Sequence, residues 1–408
     1  MSLLPVEEAL TRVVAGIEPF GADPSRFASD TETVALADAL GRVPHKAPVA
    51  SHYHPPFASS AMDGYAVRAA DVARLPARLR ICGQSAAGHL FEGEVGPAEA
   101  VRIFTGGAVP KGADAIVIQE NTRAEGDHVN VVGGRPEPGH IRPLGYDFKP
   151  GSPLCEAGRR LSSRALTLLA AAGNAGISVR RKPIVAILST GDELVEPGGS
   201  LGPGQIFASN HIGIAAMVRQ FGGEVQFLGI AVDTLEDLKR RLAPAADADI
   251  ILTIGGASVG DHDLVAPALT ALGVEIGFWR VAMRPGKPLM FGTRGRQRIL
   301  GLPGNPVSAL ICARVFLVPM IEHYLGIEAA AAEATAPLAR AIEANGPRRH
   351  YMRARWVNTG NGRAIEPLGD QDSSLLSVLA KADALLVRPV SAPALPAGAA
   401  VPILPLDI

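Results

Sequence analysis

Between residues 183 and 325 short apolar runs alternate with segments whose apolar residues are spaced as in a helix. This alternation restricts the folds that the chain can adopt. It is typical of βαβ units, in which helices connect the strands of a parallel sheet. We therefore predict an open α/β sheet here, followed by an amphipathic helix over residues 306–325. The other alternating segments are residues 184–188, 212–221, 225–232, 235–242, 250–254 and 264–272.

Three loops rich in glycine and proline lie in the second half of this segment. The first loop spans residues 255–263, the second loop 284–288 and the third loop 302–308. Each follows an apolar run that reads as a strand, at 250–254, 278–283 and 299–302. Ligands of open α/β sheets bind at the carboxyl ends of the strands, so the three loops predict a binding surface.

The first loop lacks the Gly-Lys-Ser/Thr ending of a Walker A sequence and the spacing of a dinucleotide fingerprint. Simple NTPase and dehydrogenase functions are therefore disfavoured. Gly255, Gly256 and Gly260 permit positive φ angles or a close approach of the backbone to a phosphate or a pterin-sized ligand. A tight turn with a purely structural role is the alternative.

Carboxylates follow two of the predicted strands. Asp192 and Glu193 come directly after the strand at 184–188, and Asp261 and Asp263 close the first loop. Four carboxylates beside glycine amide groups suit a hard cation that holds phosphate oxygens, and Mg²⁺ is the obvious candidate. Taken alone, residues 189–194 would be interpreted as a turn with a helix cap.

Cationic side chains surround the second loop. Arg284 and Lys287 lie on a loop stiffened by two prolines, and Arg280 comes four residues before Arg284. This arrangement favours an anion site over a solvated edge. A later basic run is expected to be a solvated face, and it consists of Arg348, Arg349, Arg353 and Arg355.

The third loop places Gly304, Asn305 and Ser308 at the start of the predicted helix over 306–325. Free N–H groups and the helix dipole favour an anion at such a position. A plain capping turn is the competing interpretation.

Outside this segment we predict helices over 5–17 and 161–172, short strands between 33 and 142, and a small β domain after residue 329. Lys and Arg total 39 and Asp and Glu total 40, a formal charge of −1, with no basic stripe for nucleic acid or an anionic membrane. The spacing of the three cysteines excludes a zinc knuckle and makes a disulfide framework improbable. We expect a soluble, cytoplasmic protein, because no signal segment or run of 18 apolar residues is present.

Further groups of residues combine with the three loops into one pattern. They are Ser-Ala-Met-Asp-Gly-Tyr-Ala-Val at 60–67, Ile-Phe-Thr-Gly at 103–106, Pro-Lys-Gly-Ala-Asp at 110–114, Arg142 with Gly145-Tyr146-Asp147, and residues 189–194. With these residues the chain resembles, over nearly its whole length, the molybdopterin molybdenumtransferases, or molybdenum insertases, which include the enzyme domain of gephyrin.

The resemblance implies a multidomain fold of class α/β plus β. Its expected parts are a discontinuous helical stalk (1–45 with 143–181), an inserted β domain (46–142), a three-layer molybdopterin-binding α/β domain (182–328) and a C-terminal β barrel (329–408). It also implies a homodimer in which the α/β domain of one subunit and the β domain of the other share an active site.

The resemblance further assigns roles that local patterns leave open. It makes Asp63, Thr105 and Asp147 catalytic residues from across the dimer, together with Glu193 and Asp263. Glu193, Asp261 and Asp263 become metal ligands. The implied cofactor-binding residues are Thr190, Gly191, Asp192, Asp233, Gly255, Gly256, Ser258, Gly260, Arg280, Arg284, Gly286, Lys287, Pro303, Gly304, Asn305, Pro306 and Ser308. Relatives often carry lysine where this chain has Arg280 and Arg284, so an oxyanion contact at these two positions is an inference.

The function implied is the Mg²⁺-dependent insertion of molybdate into adenylylated molybdopterin, with release of AMP, in molybdenum cofactor biosynthesis. The implied partners, besides a second copy of the chain, are the molybdopterin adenylyltransferase and molybdoenzymes or their chaperones. Two alternatives stay open: the chain could itself be a molybdopterin adenylyltransferase, or a non-catalytic scaffold or cofactor-binding protein. The sequence does not separate molybdenum from tungsten.

Overall fold

The computed structural model describes residues 3–256, 264–327, 334–360 and 362–407. The chain begins with helix α1 (Val6–Val14), which is shorter than the predicted 5–17 because the backbone turns extended at Ala15. The buried face of α1, formed by Val6, Ala9 and Val13, packs into the core of the α/β domain. A short helix α2 (Phe27–Asp30) and strand β1 (Thr31–Ala35) follow.

An all-β segment comes next, and no helix longer than one turn is described between residues 33 and 142, as predicted. Its strands are β2 (Ser59–Ser60), β3 (Gly64–Val67), β4 (Ala77–Ser85), β5 (Glu99–Ile103), β6 (Ala115–Ile118), β7 (Thr122–Glu125), β8 (His128–Val131) and β9 (Ile141–Arg142). Six of them form a sheet in the order β6-β3-β5-β4-β8-β7, and β2 pairs with β9.

The chain then returns to its beginning. Helix α3 (Ser163–Ala171) starts where the side chain of Ser162 accepts a hydrogen bond from the N–H of Ala165. Strand β10 (Gly176–Arg180) pairs antiparallel with β1. Ala39, Leu154, Leu169 and Val179 belong to one small core, so distant parts of the sequence pack together.

The α/β segment contains strands and helices in the predicted alternation. They are β11 (Ile184–Thr190), β12 (Leu194–Val195), β13 (Ile206–Phe207), α4 (Asn210–Gln220), β14 (Glu224–Ala231), α5 (Leu235–Leu242), β15 (Ile250–Ile254), α6 (Val265–Ala271), β16 (Glu275–Trp279), β17 (Met283–Arg284), β18 (Met290–Arg294), β19 (Gln297–Leu302) and α7 (Pro306–Tyr324). The main sheet has the order β14-β11-β15-β19-β18-β16, in which β14, β11, β15 and β19 are parallel.

The register of this sheet brings its functional loops to one edge. Ala231 pairs with Thr190 at the ends of β14 and β11, and Ile254 pairs with Leu302 at the ends of β15 and β19. Trp279, the last residue of β16, pairs with the first residue of β18. The segments that follow these strands therefore leave the sheet on the same side, where the sequence predicts ligand binding.

The apolar run over 278–283 is not one strand, which corrects the prediction for the second loop. Strand β16 ends at Trp279, and Arg280 adopts a φ of +80°. Met283 and Arg284 form β17, which pairs with a strand of the C-terminal segment instead of the main sheet. The second loop therefore starts from the junction of two sheets, a tertiary arrangement that the local pattern does not contain.

Helix α7 is a core helix. Its 19 residues and a mean hydropathy of 1.4 would allow it to cross a membrane by length and composition, but 72% of its most apolar stretch is buried inside the protein. Residues Ala313–Leu317 form a π-helical turn. Pro319 follows this turn and has no N–H to donate, which accounts for the local departure from α-helical bonding.

The C-terminal segment is a curled sheet. Its elements are β20 (Ala334–Pro337), β21 (Arg349–Thr359), β22 (Gly362–Pro367), α8 (Leu376–Leu379), β23 (Ala384–Arg388) and β24 (Ala400–Pro405). The strand order is β17-β21-β23-β24-β20, with β22 paired to β21. A bridge between Leu338 and Ile365 joins the segment after β20 to β22, so the sheet curls back on itself.

One arginine of the basic run over 348–355 is buried, contrary to the expected solvated face. Arg353 is only 1% exposed. Its guanidinium donates to the backbone carbonyl groups of Asp370, Asp372 and Leu375 and to the side chain of Gln371. Arg353 therefore organises the segment over 370–375.

Candidate functional site

A cleft of about 350 Å³ opens at the carboxyl edge of the main sheet. It brings together nine of the predicted residues, which are Thr190, Gly191, Glu193, Asp233, Gly255, Gly256, Pro303, Gly304 and Asn305. Its apolar lining consists of Leu238, Leu264, Val265 and Pro288, of which only Pro288 belongs to a predicted loop. The cleft thus combines apolar walls with a few convergent polar groups, as small-molecule sites commonly do.

Glycine is required where the floor of the cleft is tightest. Gly255 has a φ of +95°, and a Cβ atom there would lie 2.5 Å from the carbonyl oxygen of Thr190. Its N–H donates to the carbonyl of Leu302 at 3.1 Å, which ties the first loop to the third. Any larger residue would push apart the ends of neighbouring strands.

Three carboxylates lie together on one side of the cleft. The N–H of Asp233 donates to Oδ1 of Asp192 at 3.1 Å. Partial burial, followed by the charges of Asp192 and Glu193, raises the pKa of Asp233. Mutual repulsion of this kind is relieved by a cation with a preference for oxygen ligands, so the side chains fit Mg²⁺.

The carboxylates of the described residues do not by themselves make a preformed metal site. No group of three or more potential metal ligands of suitable geometry occurs among them. Ser258, Gly260, Asp261 and Asp263 of the first loop lie outside the described residues, and their predicted roles stay predictions.

The third loop presents backbone donors at the start of α7. Helix α7 begins at Pro306, and the N–H groups of Gly304 and Asn305 make no hydrogen bond to a described residue. Asn305 does not cap the helix with its side chain, which donates instead to Oγ of Ser373 at 3.0 Å. These free N–H groups at a helix start suit an anionic ligand group.

Ser373 was missed by sequence reasoning. Besides its bond to Asn305, its carbonyl accepts a 3.3 Å hydrogen bond from the N–H of Val307. Ser373 belongs to the segment over 370–375 that Arg353 holds. The sequence signal nearest to it was the basic run, in which the buried Arg353 could not be told from its less buried neighbours.

The second loop lies beside the cleft and contributes Pro288 to its lining. Arg280, Arg284, Gly286 and Lys287 are not among the described lining residues, and both Arg284 and Lys287 are exposed. Burial, followed by the charges of Arg284, Arg348 and other nearby arginines, lowers the pKa of His350 to about 4. The surroundings of the second loop are therefore positively charged.

Asp192, Pro306 and Ser308 also lie close to the cleft without lining it. Asp192 is exposed and contacts Asp233, while Ser308 is buried in the first turn of α7. Pro306 lines a smaller neighbouring cavity of about 90 Å³ together with Thr190, Glu193 and Gly304.

Asp63 and Thr105 lie together in the all-β segment. The N–H and hydroxyl of Thr105 both donate to Oδ1 of Asp63, and the pKa of Asp63 is lowered by these bonds. Asp147 is exposed, and its N–H donates to the carbonyl of His54. Among the described residues none of the three makes a hydrogen bond to a residue of the cleft, so a shared site between subunits stays a prediction.

Three family models together match most of the chain. They are the MoeA N-terminal region (domain I and II) at residues 4–173, the probable molybdopterin binding domain at 186–323, and the MoeA C-terminal region (domain IV) at 335–406. A molybdopterin molybdenumtransferase of Haemophilus influenzae is 34% identical over 369 residues, covering 88% of this chain and 90% of the relative. This chain belongs to the molybdopterin molybdenumtransferase family. Membership makes it a transferase of molybdenum cofactor biosynthesis.

Other comparisons agree over the full length. A molybdopterin molybdenumtransferase of Bacillus subtilis is 34% identical, with 95% of this chain and 90% of the relative covered. The crystal structure of a molybdopterin biosynthesis MoeA protein from Pyrococcus horikoshii superposes with a TM-score of 0.81 at 30% identity, covering both chains completely. The multidomain fold is therefore that of MoeA proteins, whereas the domain boundaries given above stay predictions.

Proposed function

We propose that this protein inserts molybdate into adenylylated molybdopterin and releases AMP, in a reaction that requires Mg²⁺. The observation that carries the proposal is the cleft of about 350 Å³, which is lined both by the third loop with its free N–H groups and by carboxylates. An anionic phosphate ester and a hard cation are the ligands that this combination accommodates.

The cleft residues bind and orient the substrate. The N–H groups of Gly304 and Asn305 donate to phosphate oxygens, while Gly255 and Gly256 allow the ligand to approach the backbone. Glu193 and Asp233, with the predicted ligands Asp261 and Asp263, would hold Mg²⁺. When bound, Mg²⁺ supplies Lewis-acid polarisation of the phosphoryl oxygens and offsets their repulsion by the carboxylates.

Molybdate is a tetrahedral dianion and needs donors with positive charge. Arg284 and Lys287 are exposed on the second loop, and Arg280 is half-buried at its base. An arginine guanidinium offers a planar pair of donors to two oxygens of such an anion, which a lysine cannot do. We assign molybdate docking to this side of the cleft.

In this proposal a second copy of the chain completes the site with its Asp63, Thr105 and Asp147. Thr105 keeps Asp63 ionised, because its two hydrogen bonds favour the charged carboxylate. The ionised carboxylate can accept a proton from a water or a substrate hydroxyl as the bond to AMP breaks. Upstream delivery by a molybdopterin adenylyltransferase and onward transfer to molybdoenzymes or their chaperones are the partner contacts we propose.

The cysteines fit a reducing compartment such as the cytoplasm. Cys82, Cys155 and Cys312 are all free, and Cys312 is buried. The pterin supplies the dithiolene sulfurs, so the reaction needs no thiol from the protein.

Two rival functions are separated by one set of assays. The purified protein is supplied with Mg²⁺ and either molybdopterin plus ATP or adenylylated molybdopterin plus molybdate, and AMP and reconstitution of an apo-molybdoenzyme are measured. We expect AMP and active cofactor only from the second mixture. Adenylylated product formed from ATP would indicate an adenylyltransferase, and full reconstitution by folded Asp63→Ala and Asp263→Ala dimers would indicate a scaffold or binding protein.

A further inference from the structure

Asn210, the first residue of α4, is bonded to the third loop. Its Nδ2 atom donates a 2.7 Å hydrogen bond to the carbonyl oxygen of Gly304. The opposite amide orientation would set two carbonyl oxygens against each other, so Gly304 fixes which amide atom faces it. The amide oxygen of Asn210 is buried and has no hydrogen-bond partner within the described part of the chain.

The peptide between Gly304 and Asn305 lies beside two neighbouring cavities. Asn210 and Gly304 line the smaller cavity of about 90 Å³, whereas Gly304 and Asn305 line the larger cleft. The carbonyl and N–H of a trans peptide point in opposite directions. A carbonyl held toward Asn210 therefore turns the N–H of Asn305 to the side of the cleft.

No other described residue donates a hydrogen bond to this carbonyl. Gly304 also lacks steric restraint, since a Cβ atom there would meet nothing nearer than Gly255 Cα at 3.7 Å. A glycine peptide without such a bond samples several orientations. The side chain of Asn210 is thus what selects one of them.

We propose that Asn210 is a positioning residue for the transferase reaction. By holding the Gly304 carbonyl, it directs the Asn305 N–H at an anionic oxygen of the bound substrate, in the class of phosphate esters. The inference rests on the proposed function, in which that oxygen belongs to the phosphate of adenylylated molybdopterin.

The test is the variant Asn210→Asp, which keeps the shape of the side chain and replaces the donor with an oxygen that repels the Gly304 carbonyl. The matched control is Asn174→Asp, because Nδ2 of Asn174 donates in the same way to the carbonyl of Leu169, in a separate small core. Losing one hydrogen bond to a charged group predicts that Asn210→Asp raises the KM for adenylylated molybdopterin about tenfold or more. In the control the KM should change less than about twofold.

A pH series supplies a readout that a loss of stability would not give. Protonation of the substituted carboxyl group restores an O–H donor to Gly304, so the KM ratio of Asn210→Asp to wild type should fall as the pH is lowered. A wild-type KM in folded Asn210→Asp, or an equal rise in the control, would overturn the inference alone. Wild-type protein that releases no AMP would overturn the proposed function and this inference with it.

Discussion

Asp63 accepts hydrogen bonds from both the backbone N–H and the hydroxyl of Thr105, at 2.7 and 2.9 Å. The bond from the backbone N–H, followed by the bond from the hydroxyl, holds the pKa of the Asp63 carboxyl group below its ordinary value. The two residues are 42 positions apart in the sequence and meet because β3 and β5 are neighbours in the sheet. The pair is thus a product of the fold and keeps a charged carboxylate in place.

Replacing Thr105 by valine removes the hydroxyl and keeps the backbone donor. The pKa of Asp63 should then rise part of the way to its ordinary value, measured by NMR titration of the side-chain carboxyl group. A lowered pKa contributes stability above the ordinary value, and this contribution is lost as the pH falls through the lowered one. In Thr105→Val the contribution should therefore be smaller, and its loss should be complete at a higher pH. Thr167→Val, which removes a distant helical hydroxyl, should leave the titration unchanged. An unshifted Asp63 in Thr105→Val would contradict the role given to the hydroxyl.

Gly286 packs its Cα against the buried thiol of Cys312. A Cβ atom at Gly286 would lie 2.3 Å from Cys312 Sγ, and the φ of Gly286 is +100°. Gly286→Ala should therefore destabilise the protein by about 2–4 kcal/mol, through strain and overpacking together. Gly273→Ala is the control, since its φ is +84° but nothing lies within 4 Å, and it should cost only about 1 kcal/mol. Equal losses in denaturant unfolding would show that the Cys312 contact is unimportant.

Arg353 and Arg355 lie two residues apart on β21 but in different surroundings. Arg353→Ala removes the guanidinium that bonds to Gln371 and to three carbonyl groups of the segment over 370–375, and it empties the space of a side chain that is buried. It should therefore lower the free energy of unfolding by about 3 kcal/mol or more. Arg355→Ala removes an ion pair with Glu366 that is half exposed and should cost less than about 1 kcal/mol. Urea titration of the two variants compares them directly, and a reversed order would contradict the anchoring role of Arg353.

A site shared between subunits makes a prediction for mixed dimers. In a dimer of one Asp63→Ala and one Glu193→Ala subunit, one cleft carries both changes and the other carries neither. Co-expressed inactive variants should therefore regain about a quarter of wild-type AMP release, because about half of the dimers are mixed and each has one intact cleft. Each variant alone is the control. No recovery in demonstrably mixed dimers would place the site within one subunit.

The sequence predicted most of the α/β segment because its signals are local. Strand β15 spans the predicted residues 250–254, and α7 differs from the prediction by one residue at its end. Apolar periodicity and glycine-rich loops are patterns of consecutive residues, so both can be recognised without knowledge of the fold. Nine of the predicted binding residues line one cleft for the same reason.

Features that depend on distant contacts were not predictable. The break at Arg280 follows from the pairing of β17 with β21, which lies more than 60 positions later in the chain. Arg353 differs from Arg355 because the segment over 370–375 accepts hydrogen bonds from its guanidinium. The same segment brings Ser373 into hydrogen-bond contact with Asn305, and a lone serine in a polar loop carries no signal of its own.

Single-turnover release of AMP tests the central claim most directly. Dimeric protein is mixed with adenylylated molybdopterin and Mg²⁺, and AMP is followed with molybdate, with tungstate and without either oxyanion. We predict AMP release that rises with molybdate, matches the metal incorporated into the pterin and falls to background without oxyanion. AMP release at the same rate without molybdate, or none at all from folded dimer, would contradict the account.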